Sequence, residues 1–311
     1  MNEFELIQLL TRSLPTNAAT VVGPGDDCAV IDLGLADRWV LFKTDAVVAG
    51  IHFTASDSPT RVGHKALGRC LSDIAAMAGT PVCALVTLAL PPVYDPAWVA
   101  QVYAGMNALA QRHHLAIVGG ETTTNPDRVL ISLALLGTVS KPQCLLHAGA
   151  KSGDAIFVAG ELGGSLAGKH LDFEPRLDEA RWLAAQFSIH AMIDLSDGLA
   201  GDIRHLLEAS HCGAELLASA IPISRAARAT PAAVQAAAKS PLAAALTDGE
   251  DFELLFTVAS QDAVPLLDAW KKQFPQLALT CIGKITAEPG LKVRHPEGTR
   301  ELTEHGYEHF A

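Results

Sequence analysis

His190-Ala191-Met192-Ile193-Asp194-Leu195-Ser196-Asp197-Gly198-Leu199 is the stretch on which the reading of this chain turns. A run of strand character ends in an aspartate, a short polar turn follows, and an apolar helical pattern opens at Leu199. This order puts Asp194 at a strand end and Ser196 and Asp197 at a helix start, where free backbone N–H groups favour phosphate. A simple N-cap role for Ser196 or Asp197 is the plain alternative. Similar acidic stations recur: Asp26-Asp27, Asp45, Asp73, Glu121 and Glu250-Asp251 each stand beside or close to glycine or a small hydroxyl residue. Singly, such acids are common turn formers. Jointly they suit Mg²⁺, which takes oxygen ligands and keeps several waters that small neighbours leave room for. The pattern points to a metal-phosphate enzyme.

The 311 residues allow two domains of roughly 150 residues each. Hydrophobic residues make up 49% of the chain and mean hydropathy is +0.24, but the most apolar run, 82–90, falls far short of the roughly 20 residues a membrane helix needs. A soluble chain with no membrane partner is expected. Met1-Asn2-Glu3-Phe4-Glu5 carries acid where an export signal carries base, so no export signal is read there and a cytoplasmic chain is expected. The six cysteines form no CxxC pair and read as reduced structural thiols. A formal charge of −11 disfavours nucleic acid as a partner, and an anionic substrate must arrive with its charge masked by cations.

Asn2 with Glu5 reads as a capped first helix. Strands are predicted over 29–32 and 39–43 with carboxylates at their ends, a helix over 58–78 with Ala66, Leu67, Cys70, Ile74 and Met77 on its apolar face, and a strand over 82–90. A helix over 95–113 leads to a strand over 115–118 that stops at Gly119-Gly120-Glu121, which puts Glu121 at a strand's carboxyl end. Turn-forming residues over 140–153 separate residues 1–139 from residues 140–311. The second part restarts the alternation, with an Ala-rich stretch of short helices punctuated at Pro231 and Pro241, a strand over 252–258 and a final helix–strand pair. Gly163 through Lys169 satisfies GxxxxGK, but His170 stands where a P-loop needs Ser or Thr. A glycine-rich helix start is the better reading.

Gly25-Asp26-Asp27-Cys28, Lys43-Thr44-Asp45, Gly50-Ile51-His52-Phe53, Leu71-Ser72-Asp73-Ile74-Ala75-Ala76-Met77, Gly119-Gly120-Glu121-Thr122-Thr123, Asp194-Leu195-Ser196-Asp197-Gly198, Gly249-Glu250-Asp251-Phe252-Glu253 and Gly306-Tyr307-Glu308-His309-Phe310 follow one another along nearly the whole chain. This ordered set resembles the thiamine-monophosphate kinase family, in the superfamily of aminoimidazole ribonucleotide synthetase. The resemblance implies an α/β (α+β), two-domain PurM-like fold, with an N-terminal metal- and ATP-binding domain that dimerises and a C-terminal domain that completes the nucleotide and substrate site. It implies ATP-dependent phosphorylation of thiamine monophosphate to thiamine diphosphate by direct in-line transfer, with several Mg²⁺ ions. By resemblance, Asp26, Thr44, Asp45, Asp73, Glu121, Asp194 and Asp197 bind metal, with Asp45 and Asp73 central to catalysis. Gly120, Glu121, His147 and Ser196 lie at ATP, and His52, Glu250 and Tyr307 face the thiamine phosphate. A homodimer is expected, with ATP between subunits.

Three positions depart from the family pattern: Glu121 stands for Asp, His147 for an Arg, and Asp248 for a Gly. A largely neutral imidazole at pH 7 does not reproduce a guanidinium's bidentate charge. Other readings are another ATP-using enzyme of the superfamily, such as an amidine cyclase or a carboxamide-activating maturation protein, or a non-catalytic Mg-ATP-binding protein. The chain ends without the terminal cysteine the maturation reading needs.

Overall fold

The computed structural model describes residues 3–229 and 239–310. Its first sheet takes β1 (Thr20–Val22), β2 (Ala29–Ile31), β3 (Arg38–Val48), β4 (Thr80–Leu90), β5 (Ala116–Thr124) and β6 (Leu130–Ser140) in the order β1-β2-β3-β6-β4-β5. Its second takes β7 (Ala155–Ala159), β8 (Ile189–Asp194), β9 (Gly213–Leu217), β10 (Leu254–Val258), β11 (Leu279–Thr286), β12 (Gly290–His295) and β13 (Gly298–Glu301) in the order β13-β12-β9-β11-β7-β10-β8. The described helices are α1 (Glu3–Thr11), α2 (Pro59–Ala76), α3 (Pro96–Arg112), α4 (Lys169–Asp172), α5 (Leu177–Gln186), α6 (Leu199–Ser210), α7 (Arg225–Arg228), α8 (Pro241–Thr247) and α9 (Ala263–Gln273). Among these strands only β4 with β5 and β9 with β12 run parallel. The architecture is therefore of the α+β kind, and strand ends do not gather along one sheet edge as they would in a parallel sheet.

α2 is the element around which the domains meet. Its apolar residues Ala66, Leu67, Cys70 and Ile74, with Met77 at its C-cap, are all buried, as their spacing predicts. They pack on the inner face of the first sheet, where period-two alternation buries Ile131, Leu133 and Leu135 of β6. The same apolar cluster continues into Phe157, Leu177, Leu183 and Phe256 of the second domain. A separate cluster, including Ile193, Leu199, Ile203 and Leu206, packs α6 on the other face of the second sheet. Against α3, α2 approaches at glycines from both sides: a Cβ on Gly63 would fall 1.9 Å from the carbonyl oxygen of Val102, and one on Gly105 would fall 1.9 Å from that of Thr60.

The structure corrects several predicted bounds. β3 runs past Lys43 to Val48 because every residue from Arg38 to Val48 pairs with β6, so Asp45 is mid-strand. β5 continues through Gly119-Gly120-Glu121 to Thr124 because β4 pairs with it again from Gly119 onward, past a bulge at Val118, so Glu121 lies within the strand on the sheet edge. The final helix is followed by three strands, β11, β12 and β13. Asn2 and Pro231 lie outside the described residues. No described helix is long and apolar enough to cross a membrane. Gly105→Ala is expected to cost about 1–3 kcal/mol, the usual range for overpacking. A lower urea midpoint at unchanged m-value would register it, and an unaltered midpoint would refute the glycine-to-backbone crossing.

Candidate active site

The pleat of β3 sorts its polar residues before any packing is considered. Lys43 and Asp45 pair with the inward residues Leu135 and Leu133 of β6, so they face α2, while Thr44 pairs with Ala134 on the opposite face. α2 answers with Lys65, Arg69, Ser72 and Asp73, whose spacing stacks them along one side of the helix. Two constellations result, one on each reach of that stripe.

The first is a trio. Single carboxylate oxygens of Asp27, Asp73 and Asp194 all lie within 4.8 Å of one another, and all three residues are buried. Lys43 Nζ donates to Asp73 Oδ1 at 2.8 Å, and Ser72 Oγ donates to Asp194 Oδ2. Asp27 Oδ2 and Asp73 Oδ2 are buried with no hydrogen-bond donor. Burial raises Asp73 well above the carboxylate range and lifts Asp194 to about 7, with the Asp27 charge adding to the latter. Carboxylates so close and so dry disfavour ionisation unless a cation stands among them. The orphaned oxygens and the all-oxygen donor set fit a hard divalent ion such as Mg²⁺.

A second possible ligand group adjoins it. Asp26, Asp27 and His147 also offer atoms within 4.8 Å of one another. Asp26 accepts from the amides of Asp27 and His147, each at 3.0 Å. His147 Nε2 lies 3.1 Å from Asp27 Oδ2 and 3.7 Å from Asp26 Oδ1, close enough for charge attraction though poorly aligned for a hydrogen bond. Burial works against the imidazolium, but Asp27 and Asp26 outweigh it and raise His147 to about 9. The expectation of a neutral His147 at pH 7 is therefore corrected: in the metal-free site the imidazole is charged, because sequence could not show the two carboxylates beside it.

These groups line a cleft of about 830 Å³ between the domains, together with Ser196, Asp197, α1 residues and the tail from His305 to Glu308. Ser196 and Asp197 occupy the turn between β8 and α6, as predicted, with Gly198 at the N-cap. The amide of Asp197 is taken by Asp202 Oδ2 at 3.1 Å, and burial raises Asp197 itself to about 6. Tyr307 N donates to Asp197 O at 2.8 Å, which lays the tail over this turn.

The second constellation surrounds Glu250. Lys65, fully buried, donates to Glu250 Oε2 at 2.6 Å and to the carbonyl of His52 at 2.6 Å, and its Nζ lies 2.8 Å from His170 Nδ1. Arg69 donates to Asp45 through Nε at 2.8 Å and NH2 at 3.2 Å, and to Glu250 through NH1 at 3.3 Å. Burial opposes ionisation of Glu250, but His170, Lys65 and Arg69 draw it down to about 2. Its backbone has φ 55, a left-handed conformation uncommon outside glycine, held as its N–H donates to Ser196 O. His52 Nδ1 accepts from Val48 N at 3.0 Å, which leaves the ring proton on Nε2. Burial, then Arg69, lowers His52 to about 4, so it is neutral. His309 stands 5.6 Å from the His52 ring and 5.1 Å from that of Tyr307.

Three predicted site residues lie elsewhere in the chain. Thr44 turns to the outer sheet face and donates to Leu133 O at 3.0 Å. Glu121, exposed, is in register with Thr87 and, through it, Ser132 on that same face, three strand spacings or roughly 14 Å from β3. Gly120 lies beside it, where any Cβ would meet Val86 O at 1.8 Å, so close strand packing alone demands glycine there. Asp45 is near the cleft but outside the trio. Conversely, Lys65, Arg69 and His170 escaped the sequence reading, although polar residues spaced like Lys65, Arg69 and Asp73 inside an otherwise apolar helix were the available signal. Asp27 was read as part of the Asp26-Asp27 station, but only Asp26 was singled out as a ligand. The GxxxxGK loop binds no phosphate through Gly163 N, which donates to both oxygens of Asp251 at 3.0 and 2.9 Å.

The family described as AIR synthase related protein matches this chain with its N-terminal domain over residues 25–139 and with its C-terminal domain over residues 136–296. A thiamine-monophosphate kinase from Rhodopirellula baltica is 41% identical over 90% of this chain and 87% of its own length. The chain belongs to the thiamine-monophosphate kinase family. The thiamine-monophosphate kinase of Bacillus subtilis is 32% identical, with 100% of both chains covered. In three dimensions, the structure of AaThiL complexed with AMPPCP and TMP superimposes with TM-score 0.83 at 29% identity, covering 99% of this chain and 97% of that one. The hydrogenase maturation protein HypE of E. coli, at 20% identity and TM-score 0.69 with 96% of both chains covered, shares the fold alone.

The raised groups fix the sign of a pH effect. Asp194, at about 7, and His147, at about 9, both hold protons more tightly in the folded protein, so each contributes stability fully present below its unfolded pKa and lost as pH rises through the folded value. In chelator, the melting temperature of this thiamine-monophosphate kinase family member is expected to fall as pH climbs through that window, and added Mg²⁺ is expected to restore it most at the alkaline end. A melting temperature indifferent to Mg²⁺ at every pH would refute the trio as a cation site.

Proposed function

We propose that this chain transfers the γ-phosphoryl group of ATP to thiamine monophosphate, yielding thiamine diphosphate, the last step of thiamine diphosphate biosynthesis, in the cytoplasm. The observation that carries the reading is the buried trio Asp27, Asp73 and Asp194 with its two donorless oxygens, lining the interdomain cleft. It gains support from AaThiL, complexed with AMPPCP, an ATP analogue, and TMP. Residues 1–139 supply most of the metal- and nucleotide-binding groups, and residues 140–311 complete the nucleotide and acceptor sites.

A divalent cation held by Asp27, Asp73 and Asp194, with Asp26 and Asp197 at the rim, would supply charge neutralisation for the phosphoryl oxygens. Lys43 keeps Asp73 aimed into the trio. The acceptor is a phosphate monoester whose second pKa is about 6, so it is mostly ionised at neutral pH and needs no strong base. Catalysis is therefore alignment and charge masking, and transfer is direct and in line, without a phosphoenzyme. Neutral His52 offers its Nε2 proton to the acceptor, ionised Glu250 faces the same reach, and Tyr307 closes it from the tail. Ser196 and His147 serve the nucleotide from within the cleft.

Gly120, Glu121 and Thr44 are assigned to the site through a homodimer. The outer sheet face that carries Glu121 and Thr44 also exposes Phe42, Leu85 and Val118, an apolar patch suited to a second copy. Such pairing brings these residues to the nucleotide between subunits. Light scattering is expected to give twice the chain mass of 32.7 kDa, and a monomer at working concentration would remove this assignment.

Incubation with Mg-ATP and thiamine monophosphate, followed by chromatography of thiamine species, tests the reaction. Thiamine diphosphate is expected from the monophosphate and not from free thiamine. Asp73→Asn is expected to lower the rate on the order of a hundredfold. Intact Mg-ATP binding with no diphosphate formed would favour a non-catalytic nucleotide-binding protein instead.

A further inference from the structure

Asp45 is paired with an arginine in this chain. Both of its carboxylate oxygens are engaged by Arg69, through Nε at 2.8 Å and NH2 at 3.2 Å, and Oδ1 also accepts from Ala46 N at 2.7 Å. This is the fork-on-fork pairing that makes an arginine–carboxylate contact both strong and directional. The guanidinium is itself fixed: NH1 reaches Glu250 Oε1 at 3.3 Å, and the ring of Phe252 lies beneath it with its centroid 5.9 Å from Cζ. Arg69 and Asp45 are largely buried, with side-chain exposures of 16% and 20%. A divalent ion at Asp45 would have to expel a charge already seated on the oxygens it needs.

We infer that Arg69 is a built-in cation that takes the place of a divalent ion at Asp45, so that this chain binds its divalent ions at the Asp27, Asp73 and Asp194 trio and none at Asp45. The inference rests on the divalent-ion reading above. Charge supports it, since Arg69 is already matched by Asp45 and shares Glu250 with Lys65, whereas the three carboxylates of the trio have only Lys43, hydrogen-bonded to Asp73, and His147, 3.1 Å from Asp27 Oδ2, as nearby cations, and Asp27 Oδ2 and Asp73 Oδ2 accept no hydrogen bond. Asp45 then acts as a positioning residue that works through Arg69 and holds a fixed positive charge beside Glu250, which is proposed to face the acceptor.

The test counts Mn²⁺ ions bound to the full chain, in the presence of AMPPCP, by electron paramagnetic resonance. Wild type and Asp45→Asn are expected to bind the same number, and Asp73→Asn is expected to lose at least part of it. Arg69→Met frees Asp45 and is expected to gain Mn²⁺, a gain abolished in the Arg69→Met, Asp45→Asn double variant. Loss of Mn²⁺ on Asp45→Asn in the wild-type background overturns the inference, and this arm decides the matter even where Arg69→Met fails to fold. Wild-type protein that binds no Mn²⁺ overturns the divalent-ion reading itself, a distinguishable result. Thermal melting of each variant shows whether a changed count reflects lost structure.

Discussion

Like charges brought together out of water set the terms for this molecule. Asp27, Asp73 and Asp194 come from a loop, a helix and a strand, yet their oxygens meet within 4.8 Å in a buried place. Repulsion and lost hydration both act against that arrangement, and its expression is the upward displacement of Asp73 and Asp194. Packing elsewhere must hold it. The apolar cluster that passes from the first sheet through α2 into the second domain fixes Asp73 and Asp194 relative to one another, because it ties the helix that carries one to the sheet that carries the other.

α2 shows how one helix can serve a core and a site at once. Its apolar residues seat on the first sheet, two glycine contacts let α3 approach closely, and the remaining side carries Lys65 and Arg69 to Glu250 and Ser72 and Asp73 to the acidic cleft. Fully burying a lysine is unfavourable without partners; Lys65 has Glu250, His170 and the His52 carbonyl around its ammonium group. Glu250 is in turn placed by a left-handed backbone that lies against the Ser196 turn. The acidic cleft and the Glu250 station are thus two ends of one polar stripe.

Much of this was legible in the chain. Periodicity gave α2, α3 and β4 nearly to their ends, and the order of short acidic motifs gave the family and its fold. Register was not legible. Whether Asp26 or Asp27 enters the trio, and whether Thr44 shares a face with Asp45, depends on a pleat that reverses at every residue. Strand length was misjudged at Glu121 for a related reason: Gly119 and Gly120 look like a stop, yet β4 offers a continuous partner past them. The protonation of His147 was misread because local sequence carries no record of neighbours over a hundred positions away.

The sequence by itself determined which residue types were available: many carboxylates set beside small residues, a strongly negative net charge, and a family whose relatives match over most of their length. Those follow from residue type and local order, which survive without a fold. Only the tertiary structure decided which acids share a cation site, which are neutralised by arginine or lysine, and which face away on the outer sheet. The physical reason is that electrostatic interactions act over a few ångströms in space, while these partners are far apart in the chain: Lys65 lies 185 positions from Glu250, and Ser72 lies 122 from Asp194.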